Sequence, residues 1–514
     1  MRKIYTVVVL ALLALGCSKE SEDLQQKDRE TSAQLSLSEE EIRVLSIESE
    51  SSKMRNIDDI YKEVENASTI LSRNNSPFAF KLNARRVERI RMLTDAGSIT
   101  RKSARTSKKT ATFNDTLAYV VNFANEDGFL LIAADKRVKV PLLAIVESGN
   151  LGDTTYNGGL GAFLGMAEMG IKQSILDYEK LKDSVTVEFK KKGLLLPKSG
   201  ANSIATDVKK KGIRLPKASS TAGFSGGDED YDYEGEIYYE TTLVYKERVV
   251  EKKGPLLATK WSQSTPFNDN VRYKKCGSGT SPAGCVPVAV GQLMAFWKYP
   301  AMLYTDSYNW SQINLYPREL DMVNLAPANV KSQVANLMDN LGKKMDSSYA
   351  CDATGTNSDK VPGLLSASGF LHGGMQDYNY NTVVTSINNG QPLFAGGYSS
   401  QVKVLGVVVG YEGGHAWIID GYLTTETKYN YIAERRSRTD GAIIDRWTGS
   451  DISRYDYHHV NWGWGGSRDG FYSAYYFDAV NYPDFSSNVP LYGGLEGQPY
   501  NYEYKLEILP FIRK

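Results

Sequence analysis

Cys285 opens the apolar run "GCVPVAVGQLMAFWKYP" in a chain that holds only four cysteines. Val286, Val288, Ala289, Val290, Leu293, Met294, Phe296 and Trp297 make that run apolar nearly all round, the pattern of a helix buried inside a domain. Pro287 is tolerated only in the first turn of such a helix, where its missing amide hydrogen would lack a partner anyway, so Cys285 falls at the helix N-terminus. Unpaired backbone amides and the positive end of the helix dipole there favour the thiolate, the nucleophilic form of cysteine. A buried structural cysteine would give the same pattern, so chemistry needs partners. "GGHAWIIDGY" sets His415 after two glycines at the head of an alternating apolar run, the place of a general base on a strand edge facing a cleft. "HHVNWGWGG" then supplies Asn461, whose amide could hold the imidazole toward the sulfur, and Trp462, which could shield that bond from water. Upstream, "LLATKWSQSTPFND" carries Gln263, whose side-chain N–H and the Cys285 backbone N–H would together form an oxyanion hole. The order Gln, Cys, His, Asn is more specific than any one member. His458 and His459 stand as alternative bases, and His372 in "FLHGGMQD" has no partner motif and reads as a loop residue.

The elements that must hold these residues are uneven along the chain. Ser38 followed by Glu41 is a capping-box start to a helix, and apolar residues from Ile57 to Leu71 repeat at helical spacing. A basic loop, "TRKSARTSKKT", precedes "LAYVVNFANEDGFLLIAAD", two β-rich runs around a turn that read as a hairpin. "VPLLAIVESG" adds a third strand, and "LGAFLGMAEMGIKQSILDYEKLKDSV" returns to helical period. Next come two near copies, "KKKGLLLPK" at 190–198 and "KKKGIRLPK" at 209–217, too few for a solenoid and read as a connector with possible cleavage sites. The acidic, small-residue stretch 219–236 marks a boundary, beyond which aromatic-rich strands and glycine turns persist to the C-terminus.

At 514 residues the chain exceeds what one core usually organises, so two or more domains are expected. Equal numbers of basic and acidic residues, 60 each, give no bulk pull toward nucleic acid or an anionic membrane. With no Cys-x-x-Cys and four histidines, neither a metal site nor any cofactor is expected. "MRKIYTVVVLALLALGC" has the layout of a signal peptide, its apolar run being short for a membrane anchor, the alternative reading. Ala14-Leu15-Gly16-Cys17 resembles a bacterial lipobox, with Cys17 the lipidated residue, although the preferred Leu three places before the cysteine is displaced; plain secretion stays open. Without Cys17 an odd number of cysteines remains, Cys276, Cys285 and Cys351, which raises the question of which stays free.

The order of the site residues is that of papain-like cysteine peptidases, though the local Cys-Gly-Ser-Cys-Trp signature is absent and "CGSG" at Cys276 precedes no apolar helix. "GCVPVAVGQLMAFWKYP", "GGHAWIIDGY" and "HVNWGWGG" resemble the nucleophile, base and Asn-Trp segments of the streptopain family over roughly residues 250–510. The resemblance implies an α+β fold: a papain-like two-lobed cysteine peptidase domain, with a helical lobe carrying Cys285 and an antiparallel β lobe carrying His415 and Asn461, preceded by a smaller α+β propeptide domain. Its implied layout is a signal peptide or lipobox at 1–17, a tether at 18–37, an inhibitory propeptide-like domain at 38–185, a linker with an activation site at 186–245 and the peptidase at 246–514. "LAYVVNFANEDGFLLIAADKRVKVPLLAIVESGNL" is similar to that propeptide, which implies a domain that keeps His415 away from Cys285 until cleavage. The family's Gly-Ser-rich cleft loop is replaced by "LGKKMDSSYACDATGTNS"; pairing of its Cys351 with Cys276 would leave Cys285 as the free thiol. The expected function is an exported cysteine endopeptidase made as a zymogen. It would act on proteins and peptides that carry a hydrophobic residue two positions before the cut, with its own propeptide as inhibitor, no nucleic-acid partner, and membrane contact only through a lipid on Cys17. Two rivals remain, a cell-wall peptide amidase or acyltransferase and a catalytically dead surface binding or inhibitor lipoprotein.

Overall fold

The computed structural model describes residues 37–72, 87–93, 99–100, 116–152, 158–191, 196, 236–240, 246–271, 276, 279–398, 400–404, 407–412, 414–436, 442–477 and 505–514. The signal-peptide and lipobox assignments and the tether up to residue 36 lie outside the described residues, as does most of the duplicated lysine segment. No helix among the described residues is long and apolar enough to cross a membrane.

Helix α1 (Glu39–Glu48) starts at the anticipated capping box, with the Glu41 amide donating to Ser38 Oγ at 3.2 Å and the Ser38 amide to Glu41 Oε2 at 2.8 Å. Helix α2 (Ile57–Ser72) follows, then β1 (Val87–Leu93) and β2 (Ile99–Thr100). The expected hairpin is β3 (Ala118–Phe123) and β4 (Phe129–Ala133), and the third run is β5 (Leu142–Val146). All three strands are buried throughout, because α2 lies against one face and the long helix α3 (Gly158–Lys191) belongs to the core on the other. Beyond α3 come β6 (Glu236–Glu240) and β7 (Lys246–Lys253), both paired with a long later strand. The sequence places residues 236–240 in the connector; the structure instead gives them to the sheet.

The C-terminal half opens with the buried helix α4 (Cys285–Trp297), packed by α5 (Ala328–Lys344). Helix α6 (Tyr380–Asn388), β8 (Leu393–Gly397), β9 (His415–Arg436), β10 (Ile443–Asn461), β11 (Gly470–Ser473) and β12 (Glu507–Leu509) complete the elements that matter for the site. The antiparallel order is β12–β8–β9–β10–β11–β5–β4–β3–β1–β2, so one sheet crosses the boundary between the two halves of the chain.

Strand alternation divides the interior. Ala416 and Ile418 of β9 point into a helical core with Trp261, Leu293 and Met338, whereas Trp417 and Ile419 point into a second core with Trp462 and Tyr472. This is the arrangement of a helical lobe against a β lobe, and the fold is α+β. The second core also holds Phe163 of α3, whose ring lies 4.8 Å from that of Tyr472. The N-terminal half is therefore joined to the β lobe by both a shared core and the β5–β11 ladder, with Tyr472 facing Ala144 and Phe471 facing Ile145. Polar contacts line the same seam: the Glu147 amide donates to the Asp469 carbonyl at 2.9 Å, and the Glu147 carboxylate lies 3.8 Å from Lys260 and 3.9 Å from His459.

Candidate active site

Cys285 is the first residue of α4, half-buried, and the free cysteine, because Cys276 and Cys351 form a disulfide. Gly284 precedes it at φ 97°, a conformation that L side chains avoid, and Thr354 packs against the same glycine. Thr354 Oγ1 also donates to the Pro282 carbonyl at 2.6 Å, so the loop pinned by the disulfide rests on the segment that leads into the nucleophile.

Burial pushes the Cys285 thiol up, but the charge of His415, a hydrogen bond to its side chain, and backbone hydrogen bonds at Ala416 and Val286 together hold it below the ordinary thiol value. His415 Nε2 lies 2.9 Å from the Trp462 carbonyl oxygen. A carbonyl only accepts, so Nε2 carries the hydrogen, and Nδ1 is the nitrogen left to take a proton from sulfur. The ring is boxed by indoles, with Trp464 at 4.9 Å, Trp462 at 6.2 Å and Trp417 at 6.4 Å. The N-terminal half is docked on β11 while Cys285 and His415 line one cleft. Among the described residues, the N-terminal half pairs with β11, and the cleft lining comes from the C-terminal half.

Asn461 does not orient His415. It pairs with Ile418 across the β9–β10 ladder, and paired residues share a sheet face, so its side chain turns into the helical core while His415 lies on the face of Trp417. There the Asn461 amide donates to the Thr259 carbonyl at 2.9 Å, accepts from the Gly463 amide at 3.1 Å and forms a reciprocal pair with the Gln292 amide at 3.2 and 3.3 Å. Trp462 thus contributes its main-chain carbonyl as well as its ring. Its own amide donates to Asp469 Oδ1 at 3.0 Å, and its indole N–H to Tyr472 Oη at 3.0 Å, which hold that carbonyl in place.

Gln292, which sequence reading passed over, is two turns along α4 from Cys285 and fully buried. Its Oε1 accepts from the Trp261 amide at 3.2 Å as well as pairing with Asn461, so one side chain sets the helix that bears the nucleophile against the strand end that aims the base. As the one uncharged polar side chain between Cys285 and Trp297, it was visible as an anomaly. Gln292→Leu strands the Trp261 amide without its side-chain partner and leaves Asn461 bonded only to Thr259 and Gly463. The expected cost is about 2–4 kcal/mol in chemical unfolding, and a fall of about tenfold or more in kcat with KM little changed, read from steady-state peptide hydrolysis.

Gln263 is half-buried, with its main-chain carbonyl accepting from the Ala283 amide at 2.9 Å, two residues before the nucleophile; it is not among the residues lining the cleft. The alternative bases are accounted for elsewhere. Burial pushes His458 down to about 3, and its Nε2 bonds Tyr378 Oη at 2.6 Å, so it stays neutral inside the β lobe. For His459, burial works against the charged form but Asp420, 2.6 Å from Nδ1, and then Glu147 push it up to about 10, so it stays protonated at neutral pH and cannot accept a proton. His372 bonds Ser366 Oγ at 2.9 Å in a surface loop.

A thiol of lowered pKa at a helix N-terminus, beside an imidazole whose tautomer is fixed by a main-chain carbonyl, has the chemistry that a thiol hydrolase needs of a nucleophile and its base. Comparison with known proteins refines this. Residues 261–472 match the peptidase C10 family. Streptopain of Streptococcus pyogenes serotype M1 is 25% identical over 278 residues, 47% of this chain and 59% of that protein, so the match spans well under two thirds of the curated relative. Streptopain of serotype M28 aligns with the same identity and coverage. Among solved structures, a cysteine-to-alanine fragment of Prevotella intermedia prointerpain A covers 77% of this chain and 96% of its own at 16% identity and a TM-score of 0.38. Active wild-type interpain A from the same organism covers 51% and 95% at 20% identity and a TM-score of 0.31. The similarity to cysteine peptidases therefore lies in the C-terminal half of the chain, over residues 261–472.

Proposed function

We propose that the protein is an exported cysteine endopeptidase made as a zymogen. The observation that carries this reading is the contact between Cys285, at the head of α4, and His415, with Nε2 of the latter held by the Trp462 carbonyl. Cys285 attacks the scissile carbonyl as thiolate, and His415 Nδ1 takes the thiol proton and returns it to the leaving amine. The backbone N–H of Cys285 and the Gln263 side chain donate to the oxyanion. Water then resolves the thioester, with His415 again as base. Asn461 acts through Gln292 and the strand end rather than on the imidazole, and Trp462 keeps water from the bond it makes. The N-terminal half is the pro-region, joined to the β lobe through β5. The first residues direct export, with a lipid on Cys17 as the membrane link.

A cell-wall amidase would use the same pair, so substrate decides. The purified chain, after removal of its N-terminal half, is expected to degrade casein and to release nothing from peptidoglycan. Release of peptidoglycan peptides with casein left intact would overturn the proposal.

A further inference from the structure

We infer that Glu507 makes the substrate cleft select a basic side chain, so that lysine or arginine about two residues from the scissile bond is favoured over a purely apolar one; this rests on the peptidase reading above. Glu507, in β12, lines the same cleft as Cys285 and His415, and among the described lining residues it is the one carboxylate. Its register fixes how far it stands from the chemistry. Gly396 of β8 faces Glu507 on one side and Ala416, next to the base, on the other. Two strand spacings separate Glu507 from Ala416, about 10 Å, which is the reach of a side chain two or three residues along an extended peptide.

The walls suit the rest of such a side chain. Phe394 and Met375 line the cleft with Glu507, offering apolar surface for the methylene stem of a lysine or arginine whose charged end meets the carboxylate. A hydrophobic residue finds the same walls but nothing for the carboxylate. Lys505 lies 3.3 Å from Glu507 but also 4.0 Å from Asp359, so among these described groups two carboxylates share one ammonium. Lys505 is a third exposed and can swing to solvent when a substrate cation arrives. A second observation comes from the sequence: "KKKGLLLPK" and "KKKGIRLPK" lie in the stretch between the two halves, where a cut would separate them. Both copies present the cation that the cleft would select.

The test compares two peptides, a capped KKKGLLLPK and the same peptide with every lysine replaced by norleucine, each hydrolysed by wild type, Glu507→Gln and Lys505→Ala. Covalent labelling of Cys285 by a thiol-directed epoxide serves as a check that each variant is folded. For wild type the lysine peptide is expected to be favoured in kcat/KM. In Glu507→Gln that preference should fall about 10- to 100-fold, the worth of one charge-assisted hydrogen bond, and in Lys505→Ala it should rise. An unchanged preference in Glu507→Gln, with norleucine peptide still cleaved, overturns the inference and leaves the peptidase reading standing. Failure of wild type to cleave either peptide or casein overturns both.

Discussion

Cys285→Ala is expected to remove peptide-bond hydrolysis almost entirely, by roughly 10⁴-fold or more, while leaving the fold intact, since an isolated nucleophile loss of this kind leaves only oxyanion stabilisation and binding. The substitution deletes one sulfur from a half-buried position. The His415–Trp462 bond, the Gln292–Asn461 pair and the Cys276–Cys351 disulfide do not depend on it. The measurement is intact mass over time for purified wild type and variant under mild reductant, alongside casein turnover. Wild type should shorten to a C-terminal fragment and gain activity; the variant should stay whole and inert, yet be cut when offered to active wild type. Shortening of the variant at the wild-type rate would assign the cut to another protease, and casein turnover by the variant would remove Cys285 from the mechanism. The thiol itself gives a pH signature. Because His415 and the amides at Ala416 and Val286 outweigh the effect of burial, the thiolate persists at lower pH than for an ordinary cysteine. Alkylation of the Cys285 peptide by iodoacetamide should therefore reach its plateau at a pH where a simple thiol is still gaining rate. His415→Ala should move that plateau upward.

How far the site was legible in the sequence depended on whether a residue's role is local or set by register. The helix start at Cys285 was legible because proline at the third helical position, followed by an all-round apolar run, belongs in a first turn. The cleft position of His415 was legible from its place after two glycines at the head of an apolar run, with His458 and His459 as the alternatives that burial in the β lobe sets apart. The partner of His415 was not. Whether a side chain or a main-chain carbonyl meets Nε2 follows from which face of the sheet Asn461 occupies, and that is fixed by its pairing with Ile418, a long-range fact no local pattern carries. Glu507 was invisible for the same reason: it reaches the cleft only because β12 returns to pair with β8. At the level of fold, the helices and the β3–β4–β5 run were readable from periodicity, whereas the union of two apparent domains in one sheet was not. β5 and β11 each look complete as short apolar strands, and nothing in either names the other as its neighbour.

That union yields the second large expected effect. Gly470 stands in β11 where a Cβ would come 2.4 Å from the Ile145 carbonyl oxygen, 2.8 Å from Val146 Cα and 3.2 Å from the Glu147 amide nitrogen. All three atoms belong to the N-terminal half, and no contact this close arises within the C-terminal half. Gly470→Val therefore acts as a wedge at one seam. It should push apart the Gly470–Val146, Phe471–Ile145 and Tyr472–Ala144 pairings and pull Glu147 from Lys260 and His459. Overpacking of this kind costs about 1–3 kcal/mol, and each buried backbone group left unpaired adds about as much again. Asp469 and Tyr472, which hold the Trp462 carbonyl against His415, flank this seam, so the wedge should also loosen His415 and move the pH plateau of Cys285 alkylation upward. Hydrogen exchange in β3, β4 and β5 should accelerate by a hundredfold or so, the equivalent of about 3 kcal/mol. If docking of the N-terminal half restrains processing, the variant should shorten faster than wild type in the same mass-against-time experiment. Slower exchange or unchanged processing in Gly470→Val would mean that the shared core around Phe163 and Tyr472, rather than the strand ladder, holds the two halves together.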